Sequence, residues 1–242
     1  RPDALEGLGE LATRLADDLR LNLTLVPTVR DDDDWRDTWK QFYAPIIFGD
    51  GALLLRPSWL ARRPGDPALE LVLDPGRAFG TGQHETTRLC VDALVDLSIG
   101  TAPASVLDLG CGSGILARAA ARLFPAARIT AVDNDPEATD TTRENAEHNQ
   151  LGERLEIFTG TALELGDDFD LILANIRPSV LIPIADQLAR RLAPGGLVML
   201  SGILGEEAED VLAAYTALGL RLHLRRDLNE WCALILSPGD PA

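Results

Sequence analysis

The stretch Val106-Leu-Asp-Leu-Gly-Cys-Gly-Ser-Gly114 decides how this chain folds. Val106, Leu107 and Leu109 read as a short buried strand, glycines recur at positions 110, 112 and 114, and a helix-forming run, Ile115 to Leu123, follows at once. Glycine lets the backbone turn sharply and lets a ligand come against the main chain where a Cβ would block it. The fingerprint of dinucleotide sites, Gly-x-Gly-x-x-Gly, needs a glycine where this chain has Ile115, so the spacing here is Gly-x-Gly-x-Gly. A second strand, Ile129-Thr-Ala-Val-Asp133, ends in an acid. At the tip of the strand beside the glycine turn, a carboxylate can accept hydrogen bonds from both hydroxyls of a ribose.

Outward from this core, helix and strand patterns alternate. A helix from His84 to Leu97 precedes strands near 105–109, 128–133, 155–159, 169–175, 196–202, 220–226 and 230–236, with helices at 115–123, 136–149, 179–192 and 205–218 between them. Short apolar strands separated by amphipathic helices specify a mostly parallel sheet covered on both faces. The last two strands have no helix between them, and the turn Asp227-Leu-Asn-Glu230 makes them an antiparallel hairpin. The fold class predicted is therefore α/β, a doubly wound, mostly parallel, seven-stranded Rossmann-like sheet with a C-terminal antiparallel hairpin, preceded by a small partial α+β region.

That first region carries Leu5, Leu8, Leu11 and Leu15 at helical spacing and alternates like a strand over 21–26. Asp31 to Asp34 then give an acidic helix start, with Asp34 as a cap and Trp35 and Trp39 packed beneath. Ile46 to Trp59 reads as a β-hairpin around Gly49-Asp50-Gly51, and Pro57, Pro64, Gly65 and Pro67 mark a loop after it. The divisions expected are 1–30, a helix and strand; 31–70, a linker helix and hairpin; and 71–242, the α/β domain.

Composition sets outer limits. The chain has 242 residues, enough for one large domain and a smaller appendage, and it begins with Arg1. No apolar run has the length of a membrane span, and no charged-then-apolar leader opens the sequence. Cys90, Cys111 and Cys232 are odd in number and lack Cys-x-x-Cys spacing, which disfavours a disulfide framework and a zinc site and suits a reducing cytoplasm. His148 and His223 have no second ligand spaced near them, so no metal site is expected. A net charge of −16 argues against gripping a nucleic-acid backbone and suits a basic protein partner.

The glycine loop, Asp108 before it and Asp133 after it resemble the class I methyltransferases. Phe79-Gly-Thr-Gly-Gln-His-Glu-Thr-Thr87, Ala174-Asn175-Ile176, Ser201-Gly-Ile-Leu204 and Glu230-Trp-Cys232 narrow this, and together are similar to the ribosomal protein L11 methyltransferases. The resemblance runs from about Asp33 to the C-terminus, and Phe79 to Thr87 is its most specific element. It implies S-adenosylmethionine as cofactor, S-adenosylhomocysteine as product, and methyl transfer to lysine side chains and an N-terminal amine of ribosomal protein L11. The family's substrate-recognition domain is about twice the size of the segment before residue 31, so residues 1–30 are expected to hold part of it. The resemblance leaves open a related enzyme acting on another lysine or on glutamine; a noncatalytic cofactor-binding adaptor and a nicotinamide-dependent oxidoreductase are the other readings.

Ligands of open α/β sheets bind beyond the carboxyl ends of the strands, where Gly110, Asp133, Gly160-Thr161-Ala162 and Asn175 all fall. Gly110 and Gly112 would approach the methionine part of the cofactor, Asp133 would hold the ribose, and Thr161 and Ala162 would flank the adenine. The resemblance adds Thr87 touching the cofactor and Phe79 covering it. Asn175 begins a run, Asn175-Ile-Arg-Pro178, similar to the Asn-Pro-Pro-Tyr loop of amino methyltransferases, with Arg177 and Pro178 in place of the last two residues. Its side-chain oxygen can accept an amine N–H, which makes it the catalytic candidate. His84 and Glu85 open a helix, where Glu suits the dipole and His can bond locally, and the sequence gives His84 no orienting partner as a base. Cys111 fits a tight turn as a small residue.

Overall fold

The computed structural model describes residues 40, 43–74, 82–100, 102–161, 166 and 168–239. The expected helix at 3–18, strand at 21–26 and acidic run at 31–34 with its two tryptophans, and the site candidates Phe79 and Ala162, lie outside the described residues. The chain parts into two compact units, Arg1–Tyr43 and Ala44–Ala242.

In the second unit, β1 (Ile46–Phe48) and β2 (Leu53–Arg56) form the expected hairpin, antiparallel through a short 3-10 turn at Gly49–Gly51. A strand that the sequence reading passed over, β3 (Leu69–Val72), adds to β2 in parallel. Seven strands then form the main sheet: β4 (Ser105–Leu109), β5 (Arg128–Asp133), β6 (Leu155–Thr159), β7 (Phe169–Asn175), β8 (Leu192–Leu204), β9 (Leu220–Leu228) and β10 (Trp231–Pro238). Their order is β6-β5-β4-β7-β8-β10-β9, parallel except for β10, which runs antiparallel to both neighbours. The strand order reverses between β4 and β7, which leaves a crevice at their carboxyl ends.

Helices cover both faces, as the apolar strands require. On one face lie α1 (Glu85–Gly100), α2 (Ile115–Leu123) and α3 (Pro136–His148); on the other lie α4 (Pro178–Leu181), α5 (Ala185–Arg190) and α6 (Ala208–Thr216). Alternation divides the inner strands between them; in β7, Leu171 and Leu173 join the first core, Ile172 and Ala174 the second. Phe169 breaks that parity and joins the second core, at the point where the β7–β8 register shifts. Asp135 caps α3 by accepting from the Glu137 N–H at 2.9 Å, and Pro136 fills the first helical turn, where a missing N–H costs nothing. The single helix expected over 179–192 is two short ones. Pro183 stands between them, and its ring and missing N–H do not allow a continuous helix there. That over 205–218 begins as a 3-10 turn at Gly205–Glu207, and the strand expected at 196–202 starts earlier, at Leu192.

Polar side chains of α2 and the end of α3 tie β3 to this domain. Asn149 accepts from the Val72 N–H and donates to the Val72 carbonyl, both at 2.7 Å. The fully buried Arg118 donates to the carbonyls of Val72 at 3.1 Å and Gly114 at 3.2 Å, and Arg122 donates to those of Glu70 and Asn149. Burial pushes the Arg118 guanidinium down to about 9, with the charge of Asp108 opposing the shift, so it stays protonated at neutral pH.

Asp108 shares the parity of Val106 and turns under α2, where it accepts from the Ala117 N–H at 2.9 Å. Burial, reinforced by the charge of Asp133, pushes its carboxyl up to about 7, against the pull of the Ala117 N–H and Arg118. A carboxyl raised in the folded state adds stability that is complete below its unfolded pKa and is lost as pH climbs through the folded one. Relative to Asp108→Asn, the wild type should therefore lose stability between about pH 4 and pH 7, by up to about 4 kcal/mol for a shift of this size. Chemical denaturation across that range checks it, and parallel stability curves for the two proteins would refute it.

Candidate functional site

Beyond β4, the turn needs its glycines. Gly110, Gly112 and Gly114 all have positive φ, at 71°, 55° and 75°. A Cβ on Gly110 would also stand 2.5 Å from Cγ2 of Ile176, so the first glycine serves both conformation and close approach across the crevice. The N–H groups of Gly110 and Cys111 both donate to the Val132 carbonyl, at 2.8 and 3.1 Å, which fastens the turn to the tip of β5. The Gly112 N–H donates to Oδ2 of Asp133 at 3.0 Å, and the Asp135 N–H donates to Oδ1 at 3.0 Å. The Asp133 carboxylate is thereby fixed by one bond to each oxygen, with lone pairs left for a ligand.

A cleft of about 490 Å³ opens over these groups. It brings together Thr87, Gly110, Gly112, Asp133, Thr161 and Asn175, the candidates that fall on described residues, and Asp108 stands in its lining. Its opposite wall is apolar, with Ile176, Val180 and Ile184 beside Gln187. The sequence reading did not nominate these side chains. Positions 180, 184 and 187 have helical spacing, which was the available signal for a shared face.

Two polar atoms in the cleft stand out. Oδ1 of Asn175 and Oγ1 of Thr87 are both buried and have no hydrogen-bond partner among the described residues. Leaving a buried acceptor or hydroxyl unsatisfied costs about 1–3 kcal/mol, and such groups are few in native proteins. Two of them lining one cleft, with a prepared carboxylate and a glycine cradle, fit a ligand that carries hydroxyls and N–H groups.

His84 and Glu85 are engaged at the start of α1. The His84 ring bonds Oγ1 of Thr86 at 2.9 Å through Nδ1 and meets the Trp231 ring edge-on at 4.9 Å between centroids. Glu85 accepts from Asn229 at 3.1 Å, and its backbone hydrogen bond, then this one, hold its carboxyl below the ordinary value. Both residues thus join α1 to the β9–β10 turn. Burial pushes the Cys111 thiol up to about 12, which makes it a poor nucleophile at neutral pH. Among the described residues no group of His, Cys, Asp and Glu could hold a metal ion, and no helix is long and apolar enough to cross a membrane.

Comparison with known proteins agrees with this geometry. The family model described as Ribosomal protein L11 methyltransferase (PrmA) matches residues 6–238. A ribosomal protein L11 methyltransferase of Pelobacter propionicus is 41% identical over 238 residues, 96% of this chain and 76% of the relative. One from Geotalea daltonii is 40% identical over 217 residues, 85% of this chain and 68% of the relative. The crystal structure of a ribosomal protein L11 methylase from Lactobacillus delbrueckii subsp. bulgaricus is 30% identical, with a TM-score of 0.73 over 81% of this chain and 100% of the other. An RNA methyltransferase from Salinibacter ruber, solved in complex with S-adenosyl-L-homocysteine, shares the fold at 20% identity, with a TM-score of 0.50 over 63% of this chain and 92% of the other. With the glycine loop, the Asp133 carboxylate and Asn175 assembled in one cleft, these matches establish that the chain belongs to the ribosomal protein L11 methyltransferase family.

Proposed function

We propose that this protein transfers methyl groups from S-adenosylmethionine to lysine side-chain and N-terminal amines of ribosomal protein L11. The observation that carries the reading is Asn175, whose buried Oδ1 has no partner among the described residues and lines the cleft that also holds Asp133. Each Asp133 oxygen keeps a lone pair beyond its backbone bond and can take one ribose hydroxyl. Gly110 and Gly112 admit the methionine end, Thr161 flanks the adenine and Thr87 offers its hydroxyl; Ala162 beside the adenine and Phe79 as a cover, both outside the described residues, rest on the family resemblance alone. When bound, S-adenosylmethionine supplies a methyl group already activated on a sulfonium.

The protein's own work is alignment. Oδ1 of Asn175 accepts an N–H of the incoming amine and turns its lone pair toward the methyl group. A lysine amine, with a reference pKa of about 10.4, must first give its proton to water. The apolar wall of Ile176 and Val180 favours the neutral amine by desolvation, so no dedicated base is required. The engagement of His84 with Thr86 and Trp231 is consistent with a positioning part for that side chain.

For the substrate, the net charge of −16 favours encounter with a basic protein. Residues 1–30 would form part of a recognition domain, 31–70 a linker, and 71–242 the catalytic domain. Buried Cys90, Cys111 and Cys232, all free thiols, suit a cytoplasmic enzyme. Purified protein, labelled cofactor and L11 test the proposal directly: label on L11 is expected, and label only on another protein would move the target to a different lysine or glutamine.

Three outcomes are expected. Asp133→Ala should weaken S-adenosylmethionine binding by about 1–3 kcal/mol in calorimetry, and unchanged affinity would reject the ribose assignment. Asn175→Ala should lose about tenfold or more in turnover at saturating cofactor while keeping most of its cofactor affinity. Equal turnover in wild type and variant would sink the catalytic role. Transfer to L11 should also slow as salt rises and the Debye length falls below about 8–10 Å, with a salt-independent rate counting against electrostatic encounter.

A further inference from the structure

We infer that Thr142 sets the shape of the glycine loop from behind and so controls cofactor affinity, an inference that rests on the S-adenosylmethionine reading above. Thr142 is buried at 0% exposure near the middle of α3 and is not among the residues lining the cleft. Its hydroxyl donates to the Gly112 carbonyl at 2.9 Å and lies 3.4 Å from the Cys111 sulfur. Its methyl occupies the space behind Gly114, where an added Cβ would stand 2.6 Å from Cγ2 of Thr142. The next two carbonyls are gathered from the same side. Nδ2 of Asn145 donates to Ser113 O at 2.9 Å, and Nε of Arg118 donates to Gly114 O at 3.2 Å.

Three consecutive carbonyls, at 112, 113 and 114, are therefore bonded to side chains of α2 and α3. A loop with glycine at every second position has little intrinsic preference for one conformation. Fixing a carbonyl fixes its whole planar peptide group. Gly112 is held at both ends, by Asp133 through its N–H and by Thr142 through its carbonyl. Releasing the Thr142 bond frees the residue that both lines the cleft and orients the Asp133 carboxylate. Packing alone would be served by valine, which has the same shape without the hydroxyl.

That difference gives the test. Thr142→Val removes the hydroxyl and keeps the shape; Thr142→Ser keeps the hydroxyl and removes the methyl. Calorimetry with S-adenosylhomocysteine, thermal melting and cofactor-dependent kinetics are measured on wild type and both variants. The valine variant should raise Kd and the cofactor KM about five- to tenfold, the scale of one buried hydrogen bond, with kcat within about twofold of wild type. The serine variant should stay near wild type. A valine variant with wild-type affinity, or a serine variant that loses as much, overturns the inference. If valine prevents folding, Asn145→Ala tests the same seam from a half-buried position, and wild-type S-adenosylhomocysteine affinity in that folded variant overturns it equally. Wild-type protein that binds no S-adenosylhomocysteine would overturn the cofactor reading as well, which separates the two failures.

Discussion

Between β4 and β7 the chain departs in opposite directions from neighbouring parallel strands, and everything functional in this protein follows from the gap that this leaves. Connections leaving the two strands turn to opposite faces of the sheet, and among the described residues a cleft opens above them. Gly110 from one side and Ile176 from the other approach until a single methyl group would collide. Asp133 and Asn175 reach the gap as the last residues of their strands. Position at a strand end, more than any local motif, decides which side chains can meet a ligand here.

The sequence exposed those positions unevenly. Glycines at 110, 112 and 114 marked a sharp turn, and all three adopt positive φ in it; the acid ending β5 stands at the tip of its strand as expected. Seven strands and the closing hairpin were legible because apolar runs alternate with helical ones. The small β3 escaped, since its four residues, Leu69 to Val72, gain their identity from a parallel partner sixteen residues back in the chain and from the Asn149 side chain. Pro183 splits a helix that apolar periodicity alone would carry through. Within the cleft, the polar anchors were readable and the apolar wall was not, because Val180 and Ile184 look like ordinary core residues until the sheet faces are assigned.

The interior holds several buried polar side chains beside its apolar sheet. Asp108, Arg118, Thr142 and Asn149 are all buried, and each bonds a backbone group of the glycine loop, of the helix that follows it or of β3. Side chains of this kind cost stability unless satisfied, and here the satisfied partner is mostly main chain. They convert flexible turns into fixed ones, so much of the cleft's geometry is set from beneath.

The Asn149 amide has a consequence for how the domain comes apart. A three-stranded sheet as small as β1–β3 has little stability of its own, and its outer strand would ordinarily fray first. Here one amide meets both the N–H and the carbonyl of Val72, serving that strand as a single-residue stand-in for a further neighbour. The stand-in belongs to the end of α3, so opening β3 means loosening the helix that supports the glycine loop. Asn149 also donates to the Asn145 carbonyl one turn back, and Asn145 in turn holds the Ser113 carbonyl, so the small sheet and the glycine loop draw on the same end of one helix.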